Sequence, residues 1–101
     1  MDNVRTINLM KNITWNVKKA EILRLDQSRG GVTFEDCVDA LEQRRILDNI
    51  SNPIAKRKNQ WMYILEINNY AYAVPYVKSN NEIFLKTVYP SRKYTKIYLQ
   101  R

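Results

Sequence analysis

Apolar residues recur along this chain with two different periods. Phe34, Cys37, Val38 and Leu41 fall at i, i+3, i+4 and i+7, one stripe of an amphipathic helix, and predict a helix over 34–44. Thr33-Phe34-Glu35-Asp36 opens it with a hydroxyl and an acid three residues apart, the spacing of a capping box. Arg44 and Arg45 close it, where cations suit the negative end of the helix dipole. Another helix, over 17–27, is predicted behind Asn16, a good cap. It ends at Ser28-Arg29-Gly30-Gly31, because glycine takes the left-handed conformation that helix ends favour. Ile13-Thr14-Trp15 is a short strand candidate ahead of it.

Past residue 45 the pattern changes to that of strands. Ile46–Ile50 is a short strand, and 51–60 is a loop carrying Lys56, Arg57 and Lys58. Trp61–Ile67 is apolar on both faces apart from Glu66 and predicts an inner strand. Asn68-Asn69 is a two-residue turn, since asparagine tolerates positive φ. Tyr70–Val77 pairs back, with Pro75 marking a sheet edge or a bulge. Ser79-Asn80-Asn81 turns into Ile83–Tyr89. Pro90 ends that strand, and Ser91 caps a short C-terminal helix in which Tyr94, Ile97 and Tyr98 have helical spacing. The expected fold class is α+β: an antiparallel meander packed against two N-terminal helices, followed by a short third helix. Residues 12–101 form one domain, and 1–11 are a flexible lead-in.

Composition narrows the chemistry. The chain has 101 residues, a net charge of +7 and no histidine. Without histidine there is no Ser-His-Asp or Cys-His catalysis and no His-containing zinc site. No Gly-rich phosphate loop is present, and neither a metal nor a cofactor is expected. Cys37, the single cysteine, is read as a small core residue. No apolar run is long enough to span a membrane, so a cytoplasmic protein is expected.

Charge is unevenly placed. Residues 1–50 hold eight basic and eight acidic side chains, whereas 51–101 hold nine basic residues against Glu66 and Glu82. All seven tyrosines also lie in the second half. Cations that hold phosphates and rings that stack on bases point to a polyanion partner, against the alternative of a merely solvated basic surface.

The segment from Lys86 to Tyr98 concentrates that chemistry. Arg92 and Lys93 occupy the first turn of the last helix, where cations oppose the dipole at a cost of roughly 0.3–1 kcal/mol each. Free backbone N–H groups beside two cations make a phosphate site. Strict alternation puts Ile83, Leu85, Thr87 and Tyr89 on one strand face, and Phe84, Lys86 and Val88 on the other. Lys86 is then a charge among apolar neighbours, which either snorkels to water or is held as a catalytic cation.

Trp15-Asn16-x-x-Lys19, Gly31-Val32-Thr33-Phe34-Glu35 and the terminal Glu82–Lys93 segment together resemble, in order, the sequences of BrnT-type toxins. The resemblance spans roughly residues 12–99. It implies a RelE/ParE-superfamily fold, mRNA cleavage independent of or linked to the ribosome, and a short DNA-binding antitoxin encoded by the adjacent gene. The reaction expected is attack of an RNA 2′-hydroxyl on the neighbouring phosphate. Arg92, Lys86, Lys19 and Tyr89 are the catalytic candidates, with Lys86, Tyr89 and Glu35 as possible bases. Lys93, Lys96, Tyr94, Lys56, Arg57 and Lys58 are the RNA-binding candidates. Tyr70, Tyr72 and Tyr76, on one strand face, are expected to meet the antitoxin. The rivals are a non-catalytic nucleic-acid-binding module and a ParE-like gyrase poison.

Overall fold

Each turn of the chain has a local cause. The computed structural model describes residues 12–52 and 60–100; the lead-in at 1–11 and Lys56, Arg57 and Lys58 lie outside the described residues. Strand β1 (Ile13–Trp15) runs into α1 (Val17–Leu25), where the Asn16 side chain accepts the Lys19 N–H. Asp26 then caps a single 3₁₀ turn, Gln27–Arg29, which ends at Gly30 with φ 71°. Helix α2 (Phe34–Glu42) opens with the expected box: the Thr33 N–H donates to Asp36, and the Asp36 N–H donates to Thr33 Oγ1.

Strands β2 (Ile46–Ser51), β3 (Gln60–Ile67), β4 (Tyr70–Ser79) and β5 (Glu82–Leu85) follow as an antiparallel meander. Asn68 and Asn69 both have positive φ, as a two-residue hairpin requires. A two-residue strand, β6 (Tyr89–Pro90), and α3 (Arg92–Leu99) complete the chain.

Two features of the sheet differ from the expected one. The sheet is mixed rather than antiparallel, because β1 lies parallel to β5 at the edge in the order β1-β5-β4-β3-β2. A three-residue strand carries no pattern that reveals its partner. Its Trp15 ring stacks on Phe34 at 5.5 Å, which ties the edge to α2. The second difference is that the two core clusters lie on opposite sheet faces. Leu23, Phe34, Cys37 and Leu41 of the α1–α2 layer pack on Tyr63, Leu65, Tyr72, Val74 and Tyr76. Tyr94 and Tyr98 of α3 pack on Met62, Ile64, Ala71 and Ala73. Alternation puts these two sets of strand residues on opposite sides, so the sheet is the middle of three layers.

A bulge fixes what the last strand presents. Tyr76 faces Leu85 and Ala73 faces Tyr89, so three steps along β4 match four steps along the β5–β6 segment. The extra residue falls opposite Pro75, which has no N–H to give; its carbonyl instead accepts the Lys86 N–H at 2.9 Å. Pro75 therefore marks the point of a central strand that lies opposite a bulge, not a sheet edge. The bulge reverses the alternation. Val88 joins Leu85 in the core beneath α1 and α2, and Tyr89 turns to the α3 face. Lys86 stands exposed at the bulge, not among apolar neighbours.

Candidate nucleic-acid interface

The interface begins with how α3 is seated. The Ser91 N–H donates to the Ala71 carbonyl at 2.9 Å, and the Ala71 N–H donates to Thr95 Oγ1 at 2.9 Å. The Thr95 hydroxyl donates in turn to the Ser91 carbonyl at 2.7 Å. Both backbone groups of Ala71 are thus tied to the start of α3, and Thr95 is only 2% exposed. Ser91 Oγ accepts the Tyr94 N–H as the helix cap.

This seat holds three cations at the surface. Arg92 and Lys93 are exposed in the first turn, which contains no acid, and Lys96 is exposed in the last. Lys93 Nζ lies 5.2 Å from the Tyr94 ring centre, a cation–π contact. The ion pairs formed between described residues, Arg24–Glu21 and Arg45–Asp39, both involve the α1–α2 side of the chain. Among the described residues none pairs with Arg92, Lys93, Lys96 or Lys86. Their charge is therefore not neutralised within the described part of the fold.

Glu21, Asp26, Glu35, Asp36, Asp39 and Glu42 belong to the α1–α2 segment, whereas Glu66 and Glu82 stand on the α3 face of the sheet, opposite Ala71 and Ser79. Asp48 is the acid that meets α3, and it is engaged by the Tyr98 hydroxyl. That bond, with help from the Asn49 N–H, holds the Asp48 carboxyl below its ordinary range; the same bond raises the Tyr98 phenol above its own.

Tyr89 lies on this same face, half-buried, with its hydroxyl donating to Met62 Sδ at 3.7 Å. Burial, and then the neighbouring Tyr94, push its pKa up. Lys19 sits on α1, in the layer on the other side of the sheet from Arg92, and Glu35 begins α2 in that same layer. The four catalytic candidates thus divide: Arg92 and Tyr89 share a face, Lys86 stands at the bulge, and Lys19 is apart. Lys93, Lys96 and Tyr94 are brought together with Arg92.

The tyrosines expected to meet a partner are not presented to one. Tyr72 and Tyr76 are 6% and 3% exposed, and Tyr70 is half-buried edge-on to Tyr72. Tyr72, Val74 and Tyr76 face the α1–α2 side of the sheet and are buried in its core. The fit is close at Gly30, where a Cβ would lie 2.6 Å from the Tyr72 hydroxyl. Cys37 is fully buried in the same core, where desolvation pushes its thiol up to about 12. That thiol is inert in the folded state.

Sequence reasoning missed a second polar constellation. The Tyr63 and Tyr76 rings stack at 4.3 Å, and the Tyr76 hydroxyl donates to Asn49 Oδ1 at 2.8 Å. This group borders a shallow cleft of about 290 Å³, with Lys78 and Glu82 at its rim. The signal was obscure because Tyr63 and Tyr76 are 13 residues apart and meet only through strand register.

Among the described residues no three His, Cys, Asp or Glu side chains stand together as metal ligands, and no helix is long and apolar enough to cross a membrane. Fold and surface together define a small three-layer α+β protein with one cationic, tyrosine-bearing face. No protein-family model, curated protein or solved structure matches the chain.

Proposed function

We propose that this chain is the toxin of a type II toxin–antitoxin pair, a RelE-like endoribonuclease whose working surface is the α3 face. The observation that carries the proposal is the set of cations on α3 that no acid pairs with among the described residues, held by the double tie to Ala71 over a sheet face that also bears Tyr89 and Tyr94. The order strand, two helices, meander and terminal helix supports a RelE-like arrangement.

In this account Arg92 grips the scissile phosphate, with Lys93 beside it, and both stabilise the charge that builds on the phosphoryl oxygens. The RNA 2′-hydroxyl oxygen bonds to phosphorus as the bond to the 5′-oxygen breaks. Its proton passes to solvent, to which this face is open. Tyr89 is the proton source for the leaving 5′-oxygen, since its hydroxyl lies on the α3 face and its present acceptor, a thioether, is weak. The products are a 2′,3′-cyclic phosphate and a 5′-hydroxyl.

The cognate antitoxin would neutralise the chain by laying an acidic segment over Arg92, Lys93 and Lys96. Induced expression tests the proposal. Growth should arrest and mRNA half-lives fall while DNA supercoiling stays normal; arrest with unchanged mRNA and altered supercoiling would point to a gyrase target. A non-catalytic nucleic-acid-binding module is favoured by one observation, the separation of Lys19 from Arg92, and RNA turnover distinguishes it.

A further inference from the structure

Helix α3 roofs only part of its sheet face. It covers Met62, Ile64, Ala71 and Ala73. Beyond them one row of cross-strand neighbours on that same face, Thr14, Phe84, Val77 and Gln60, runs across β1, β5, β4 and β3. Phe84 is 38% exposed there, and among the described residues no other ring packs on it. A single exposed apolar residue is ordinary on a protein surface. What distinguishes this one is its place: a partly open aromatic ring on the sheet face that α3 and its cations share, between Glu82 and the exposed Lys86, which has no ion-pair partner among the described residues.

We propose that Phe84 is a stacking platform for an unpaired base of single-stranded RNA, on the open floor beside α3. The inference rests on the ribonuclease reading and adds to it the form of the substrate. Charge selects the occupant, because residues 60–100, which build most of this floor and α3, carry five cations, Lys78, Lys86, Arg92, Lys93 and Lys96, against Glu66 and Glu82. A polyanion with accessible base faces satisfies both features at once: phosphates meet Arg92 and Lys86 while a base covers Phe84. A duplex would satisfy only the first, since its bases are already stacked on one another.

The test is binding of fluorescently labelled 2′-O-methyl RNA, which cannot undergo 2′-hydroxyl attack. Phe84→Ala should weaken binding about 5- to 150-fold, the range of one base–aromatic stack, without changing the salt dependence. Phe84→Tyr should restore binding to within about twofold, and Phe84→Leu should not. With the unaltered protein, an abasic nucleotide moved along the oligonucleotide should weaken binding at one position, and Phe84→Ala should add nothing at that position. Equal binding by Phe84→Ala or Phe84→Leu, with Arg92→Ala still defective, would overturn the platform and leave the ribonuclease reading standing. Equal binding of duplex and single strand, or loss of a protein partner in place of RNA, would also overturn it. No RNA binding by the unaltered chain would sink both.

Discussion

Thr95 shows how much rests on one hydroxyl. It accepts from the buried Ala71 N–H and donates to the Ser91 carbonyl, so it fills both bonding roles at once. Thr95→Val keeps the shape but leaves the Ala71 N–H without a partner, a cost of about 1–3 kcal/mol. Urea denaturation should show that loss, and Thr95→Ser should recover most of it; equal midpoints for Val and Thr would mean that the tie contributes nothing. Arg92 makes the opposite case. It is exposed, unpaired among the described residues and opposed to the helix dipole, so Arg92→Ala should leave the denaturation midpoint unchanged or slightly higher. Arg92→Lys should recover only part of the toxicity, because a point charge does not grip phosphate in two places. Normal toxicity of Arg92→Ala at normal abundance would remove Arg92 from the site.

At the scale of elements, α3 is pinned at both ends, by Thr95 near its start and by the Tyr98–Asp48 bond near its end. The second pin depends on pH in a definite sense. Asp48 is held below its ordinary pKa, so its contribution is present above the ordinary carboxylate range and is lost as pH falls through the lowered value. Tyr98 is held above its ordinary pKa, so its contribution is present below the ordinary tyrosine range and is lost as pH rises through the raised value. Tyr98→Phe should therefore melt lower than the parent at neutral pH, and the gap should close in acid as Asp48 is protonated. A gap that is the same at all pH values would contradict the assignment.

The elements themselves were largely legible in the sequence. Caps at Asn16, Thr33 and Ser91 and the Asn68-Asn69 turn are local chemistry, and each acts where it was expected. What depends on distant partners was not legible. Pro75 signalled an irregularity, but only the register shows that the added residue lies at 86–88 and moves Tyr89 to the α3 face. Lys86 and Tyr89 were misplaced by that one residue. Tyr72 and Tyr76 looked like a bare aromatic face because alternation does not say which side of a sheet the helices cover.

For the whole molecule, the decisive property is the balance of charge: the α1–α2 segment mixes six acids with Lys18, Lys19, Arg24 and Arg29, while α3 carries Arg92, Lys93 and Lys96 and no acid. Binding to single-stranded RNA should therefore weaken steeply with salt, and Arg92→Ala should lower the slope by about 0.7. An antitoxin that masks the α3 face should bind less tightly at high salt, since Tyr72 and Tyr76 are already buried on the other side of the sheet and offer it little apolar contact. Affinity that holds unchanged to high salt would place the antitoxin on another surface.

The central claim is that the α3 face cleaves RNA by 2′-hydroxyl attack, and product chemistry tests it most directly. Purified chain is mixed with an end-labelled RNA, with and without ribosomes, and the new ends are identified. The account predicts 2′,3′-cyclic phosphate and 5′-hydroxyl ends, no cleavage where the 2′-oxygen is methylated, and a rate about 10²–10³-fold lower for Arg92→Ala. Intact RNA under both conditions, 5′-phosphate ends, or full activity in Arg92→Ala would contradict it.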